Sequence, residues 1–181
     1  MLCVFQYMQL QVIIDSPELF IGHDALNQWL YVDWRGEYDQ ELSRATCRLM
    51  LETIREWPCT KILNDNSSIT RITARLTEWG VQWLEDMLAA GLHFIAWVLP
   101  RDLVARQATE DIVHAIDRPR VGTFDDVASA YIWLQQQQPQ PGGPYPLERA
   151  SRQPPERAPR ISDSAPRASS RLSLSAHTDQ P

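Results

Sequence analysis

Phe94-Ile-Ala-Trp-Val-Leu99 is an unbroken apolar run. Successive side chains of a strand point to opposite faces of its sheet, so a strand that is apolar at every position is buried on both. Such a strand needs helices packed on its sheet, and the neighbouring segments supply them. From Tyr38 to Trp57 the pattern is helical, with Leu42, Ala45 and Leu49 on one row and Cys47, Met50, Ile54 and Trp57 on the next. Asp39 and Glu41 sit in the first turn, where the helix dipole favours acids, and Pro58 stops the helix. A second helix is expected from Thr77, with Trp79, Trp83 and Met87 on one row, Gly80, Leu84 and Leu88 on another, and Gly91 at its end. A third starts at Pro100-Arg101-Asp102, with Leu103, Ala108, Ile112 and Ile116 facing inward, and ends at Arg118-Pro119.

Strands are expected between these helices. Val12-Ile-Ile14, within Gln11 to Asp15, is β-branched and is broken by Ser16-Pro17. Glu18 to His23 and Trp29 to Trp34, joined by a turn at Asp24 to Asn27, form an antiparallel hairpin that Gly36 ends; residues 1 to 10 offer a further strand. Lys61 to Asn64 reads as a short central strand that opens into a polar loop, Asn64 to Ser68, and residues 65 to 76 fit no single pattern. Arg120 to Phe124 is the last strand, and Thr123-x-x-Asp126 resembles a capping box opening a final helix through Leu134, with Val127, Ala130, Tyr131 and Leu134 on its apolar face. The order is that of an α/β domain: a mixed, mostly parallel sheet of four to five strands with an N-terminal antiparallel hairpin and helices packed on it.

Composition divides the chain at Gln135. All seven tryptophans precede that point, and nine of the 13 prolines follow it. Residues 1–134 are expected to form the domain, and residues 135–181 a disordered tail rich in Pro, Gln, Ser and Arg, with too little apolar surface to offset the entropy of ordering. Residues 1–134 carry a net charge of −8 and the rest +2. An acidic domain lacks the clustered cations that phosphate backbones require, so nucleic acid is not an expected partner. No apolar run approaches the ~20 residues of a membrane span, and the N-terminus lacks the basic region of a signal peptide, so no membrane insertion is expected. Cys3, Cys47 and Cys59 are odd in number and lack metal-ligand spacing; free thiols in a reducing cytoplasm are the expected state.

Trp29-x-Tyr31-x-Asp33-Trp34-x-Gly36, Lys61-x-Leu63-Asn64-Asp65-Asn66 and Trp79…Trp83…Ala90-Gly91-x-x-x-x-Ala96-Trp97, with the Thr123-Phe-Asp-Asp126 start of the last helix and its Trp133, resemble an uncharacterised bacterial branch of the STAS, or SpoIIAA-like, domains. The resemblance covers roughly residues 10 to 134. It implies a four- or five-stranded mixed sheet with helices mostly on one face, and a cytoplasmic regulatory or binding role. In anti-sigma-factor antagonists of this fold a serine in an Asp-Ser-Ser-Gly type motif is phosphorylated. The matching position here is Ile72-Thr73-Ala74-Arg75, which lacks the Asp, the Ser and the Gly, so the phospho-switch is not carried over. Lipid-carrier-like relatives bind apolar ligands.

Two sets of side chains are candidates for binding. Asn64, Asp65, Asn66 and Ser67 offer donors and acceptors at a strand's carboxyl end, where α/β sheets place their ligands; a loop satisfying its own backbone would look the same. Trp34, Trp79, Trp83 and Trp97 are many large aromatics for one small domain. They suit an aromatic-walled pocket or a protein interface, although helical spacing equally suits core packing. Asp33 and Asp65 could form a carboxylate pair. His93 and His114 lack metal-ligand spacing, and neither a Gly-rich phosphate loop nor a nucleophile elbow occurs, so no catalytic residue, metal or cofactor is implied. The expected function is a non-enzymatic protein-interaction or regulatory module, with another protein as partner or a homodimer as assembly. The alternative is a carrier or sensor of a small apolar ligand in an aromatic-lined pocket.

Overall fold

The computed structural model describes residues 8–138. They form six strands and four helices: β1 (Leu10–Asp15), β2 (Leu19–Asp24), β3 (Trp29–Tyr38), α1 (Gln40–Glu56), β4 (Lys61–Ile72), α2 (Glu78–Ala89), β5 (Phe94–Val98), α3 (Leu103–His114), β6 (Arg120–Phe124) and α4 (Val127–Gln136). The strands make a single mixed sheet in consecutive order, one strand larger than the four to five expected. β1–β2 and β2–β3 are antiparallel; β3–β4, β4–β5 and β5–β6 are parallel.

Three crossovers step the same way along the sheet, which places their helices on one face when they share a hand. Met50, Ile54, Met87 and Ala105, from α1, α2 and α3, pack there against Ile21, Leu30, Val32, Ile62 and Ile95. α4 covers the other face, where Ala130 and Leu134 pack on Trp29, Tyr31, Leu63, Ala96 and Val98. β5 is therefore buried on both sides, as its sequence requires. Met8 joins the α4-side core, and among the described residues the first strand begins at Leu10; most of the strand expected in residues 1 to 10 lies outside them.

Several expectations shift. Gly36 does not end β3. It adopts a φ of +80°, open to glycine at little cost, beside a register irregularity, and the strand runs on to Tyr38. β4 likewise does not open into a loop at Asn64. It continues to Ile72, paired along β3, with irregularities opposite Asp33–Arg35 and Gly36–Glu37. In α1 the inward face is Thr46, Met50, Leu51, Thr53 and Ile54, while Ala45 and Leu49 are exposed. In α3, Leu103 is exposed and Ala105 and Thr109 face inward. Thr123 lies in β6, and Asp126 caps α4, its carboxylate accepting from the Ser129 N–H. Gln135 and Gln136 still belong to α4, so the helix passes the expected boundary. The rest of the proposed tail, 139–181, and Cys3 lie outside the described residues.

Candidate functional site

Asn64, Asp65 and Asn66 are consecutive in a strand, so their side chains part to opposite faces. All three are buried, at 2–4% exposure, which rules out the expected solvent loop. On the helix-covered face the Trp34 indole N–H donates to Asn64 Oδ1 at 2.8 Å, and Asn64 Nδ2 donates to Asn66 Oδ1 at 3.0 Å. Trp34 is thereby fixed, its ring tilted against that of Tyr38.

This chain of contacts backs a cleft. Its walls come from α1, the 72–76 segment, α2, β5 and the turn after α3, and it brings together Trp34, Trp79, Trp83 and Trp97. The space enclosed is about 90 Å³. Trp83 is held by its indole N–H, which donates to the Cys47 carbonyl at 2.7 Å. The guanidinium groups of Arg44 and Arg48 lie over the Trp79 ring at 5.6 and 5.7 Å, within cation–π range. Ser43, Arg44 and Arg75 also line the cleft; nothing in their sequence positions singles them out except that Arg44 falls four residues before Arg48 on the turn facing Trp79. Ser43 Oγ, Arg44 Nε and Trp97 Nε1 are buried and have no hydrogen-bond partner. A second, more open groove of about 530 Å³ adjoins the cleft and shares Ile72, Ala74, Arg75, Leu76 and Ile112 with it.

Asp33 and Asp65 lie on the opposite face, away from the tryptophans, as direct partners across β3 and β4. Asp65 accepts from the Tyr31 hydroxyl at 2.8 Å and from the Ser67 N–H at 2.9 Å. Ser67 thus serves the strand's own irregularity through its backbone. Asp33 is paired with Arg35 at 2.8 Å, and Arg35 reaches Asp15 at 3.3 Å. Burial, reinforced by the Asp65 charge, raises the Asp33 carboxyl above its ordinary range despite Arg35. Burial also raises the Tyr31 hydroxyl, with both carboxylates adding to the effect, so it stays a donor. Asp33 and Asp65 thus stand side by side across β3 and β4, Asp65 engaged at both oxygens and Asp33 at one, its Oδ1 buried without a partner. The nine candidate residues divide into a tryptophan–asparagine set on one face and an Asp33–Asp65–Ser67 set on the other.

Burial pushes the thiols of Cys47 and Cys59 up to about 12, which suits inert interior groups. Among the described residues no three or more His, Cys, Asp or Glu side chains are grouped to hold a metal ion, and no helix is long and apolar enough to cross a membrane.

No protein-family model matches the chain, and no curated protein matches it. Among solved structures it is similar to the anti-sigma factor antagonist SpoIIAA in its unphosphorylated form, at 12% identity over 68% of this chain and 94% of that one, with a TM-score of 0.36. It is also similar to an uncharacterized protein of the DUF3478 family from Shewanella loihica PV-4, at 14% identity over 70% of this chain and 93% of that one, with a TM-score of 0.37. The second of these bears a SpoIIAA-like fold.

Proposed function

We propose that this protein is a non-enzymatic binding module whose binding element is the tryptophan cleft, which takes up a small ligand with an apolar body. The observation that carries the reading is the convergence of Trp34, Trp79, Trp83 and Trp97, from β3, α2 and β5, around one space of about 90 Å³. Protein interiors are close-packed, with few voids larger than a water molecule, so rings used only as core would be expected to close on one another. Here they leave a gap lined by apolar side chains, smaller than the ~300–1,000 Å³ of drug-sized ligand sites and suited to a small apolar group. The strand-end surface expected to bind a partner is buried in β4, which moves the emphasis from that surface to the cleft.

Native mass spectrometry of the freshly purified full chain tests this, together with tryptophan emission titrated with apolar probes. A bound small molecule, or a probe-induced emission change lost in Trp79→Ala, is the expected result. A bare mass with emission indifferent to every probe overturns it.

A protein-interaction role is the second reading. It is favoured by Leu103 and Val104, adjacent in the first turn of α3 and 79% and 77% exposed. Large aliphatics so exposed suit an interface between two copies of the chain. Loss of a dimer in the Leu103→Glu, Val104→Glu double variant, read by sedimentation, would support it; a monomeric parent chain would not.

A further inference from the structure

Resting on the protein-interaction reading above, we infer that α3 is a self-pairing helix: two copies of this chain meet along it, antiparallel, about a two-fold axis. The sequence of the helix carries the first argument. Val104, Ala108 and Asp111 are spaced i, i+4 and i+7, which sets them on one face, and Arg101 stands just ahead of the Asp102 cap. In chain order the four are a cation, a large aliphatic, a small aliphatic and an acid. Read backwards they are an acid, a small aliphatic, a large aliphatic and a cation. Two such helices laid antiparallel therefore match at every position: Arg101 meets Asp111 of the second copy, and Val104 meets its Ala108. One axis at the level of residue 106 makes all four contacts together, because Val104 and Ala108 lie two residues to either side of it and Arg101 and Asp111 five. A different protein would have to match this order through its own sequence. A second copy matches it by symmetry alone.

The structure keeps this face free. Ala105 and Thr109 are the α3 residues turned into the core, while Arg101, Val104 and Asp111 are exposed. Val104 is 77% exposed and Leu103 beside it 79%, the highest values among the large hydrophobic side chains of the described residues. Two adjacent aliphatics left in water form an apolar patch that an interface would cover. Ala108 and Asp111 also line the open groove of about 530 Å³ between α3 and the 72–76 segment, so there is room beside the helix for the end of a second one. The small Ala108 side chain lets a helix come close there and gives Val104 a place to pack. The Gln107 amide donates to Asp111 Oδ1 at 3.1 Å, which holds that carboxylate one turn from its neighbour on the helix surface.

The charges fix direction and register more than strength, since they sit at the two ends of the contact, next to water. A parallel pairing would set Arg101 on Arg101 and Asp111 on Asp111, and both contacts would repel.

Complementary charge reversals test the pairing. Sedimentation of the full chain, alone and as mixed variants, gives the dimer dissociation constant. The parent chain is expected to dimerise. Arg101→Glu sets acid against acid in both symmetry-related contacts, and Asp111→Arg sets cation against cation, so each variant alone should dimerise about tenfold or more weakly. An equimolar mixture of the two should recover association, because every mixed dimer again has two contacts of opposite charge. Both positions are exposed, so both variants are expected to keep the fold, which far-UV circular dichroism checks. A dimer that neither reversal weakens, or a mixture as weak as its parts, overturns the α3 pairing and leaves self-association to another surface. A parent chain that stays monomeric at on the order of 100 μM overturns the contact between copies altogether.

Discussion

β4 presents two kinds of polar side chain to two different environments. Toward the helices, Asn64 and Asn66 form an amide ladder that ends on the Trp34 indole. Toward the α4 side, Asp65 faces Tyr31 and stands beside Asp33 and Arg35. The first arrangement is neutral, and each of its hydrogen bonds joins a matched donor and acceptor. The second holds two carboxylates against one guanidinium and a phenol, so it depends on protonation state. The first is buried and the second partly so, and both orient a neighbour: Trp34 in the cleft wall, and Arg35 on the interior strand β3. Alternation along one strand thus places a pH-independent support behind the tryptophan cleft and a titratable cluster behind the opposite face.

Exchanging the two chemistries should expose the asymmetry. Asn64→Asp removes the Nδ2 donor and sets a carboxylate against Asn66 Oδ1 in a site that is 2% exposed. A loss of about 3 kcal/mol or more is expected in urea unfolding, because an unpaired charge is buried. Asp65→Asn should cost less, about 1–2 kcal/mol, since it leaves the Tyr31 hydroxyl or the Ser67 N–H without its acceptor. It also removes the charge that repels Asp33, which offsets part of the loss. Equal costs for the two variants would mean that the two faces are not different in kind. Gly36→Ala sharpens the same comparison from the backbone. Nothing lies within 4 Å of an added Cβ, so the expected loss of about 1 kcal/mol is conformational alone.

The fold was legible wherever periodicity ran unbroken. β5 announced burial on both faces, and α1, α2 and α3 were visible as 3.6-residue patterns bounded by Pro58, Gly91 and Pro119. The second half of β4 was not legible, and the reason is local. Two register irregularities reset the two-residue alternation, so Ile69 joins the helix-side core out of step with Ile62, and Ile72 packs against that core out of step with Ile69. Polar side chains at a strand's interior then look like a loop, because their partners, Trp34 and Tyr31, are some 30 residues away in sequence. Helix rows predicted the inward face of α1 only in part. Thr46 and Thr53 are buried, and the Thr53 hydroxyl donates to the Leu49 carbonyl, a bond within the helix that hydrophobicity does not reveal. The tryptophans were visible as candidates, but their convergence was not, since it depends on where α2 sits over the sheet. Arg44 and Ser43 could not be distinguished from any other polar residues of a solvated helix.

The smallest expected effects are in pH dependence, where the two faces should respond with opposite sign. His23, on the helix side against the Trp57 ring, has its pKa lowered by burial, with Asp24 opposing. The unfolded chain therefore binds the proton more readily, and the His23 contribution is present above the ordinary histidine value and lost as pH falls through the lowered one. Asp33 has its pKa raised, so the folded chain binds the proton more readily. Its contribution is present below the ordinary carboxylate value and lost as pH rises through the raised one. In urea titrations across pH 4 to 8, His23→Gln should flatten the mildly acidic loss of stability. Asp33→Asn should flatten the change at the acidic end and leave stability at neutral pH unchanged or up to about 1 kcal/mol higher, because Arg35 is partly exposed and keeps Asp15. If Asp33→Asn instead lost stability at neutral pH and kept the original slope, the Arg35 pair would outweigh burial. The α4-side cluster would then be a fixed ion pair, and the contrast between the two faces would reduce to one of charge alone.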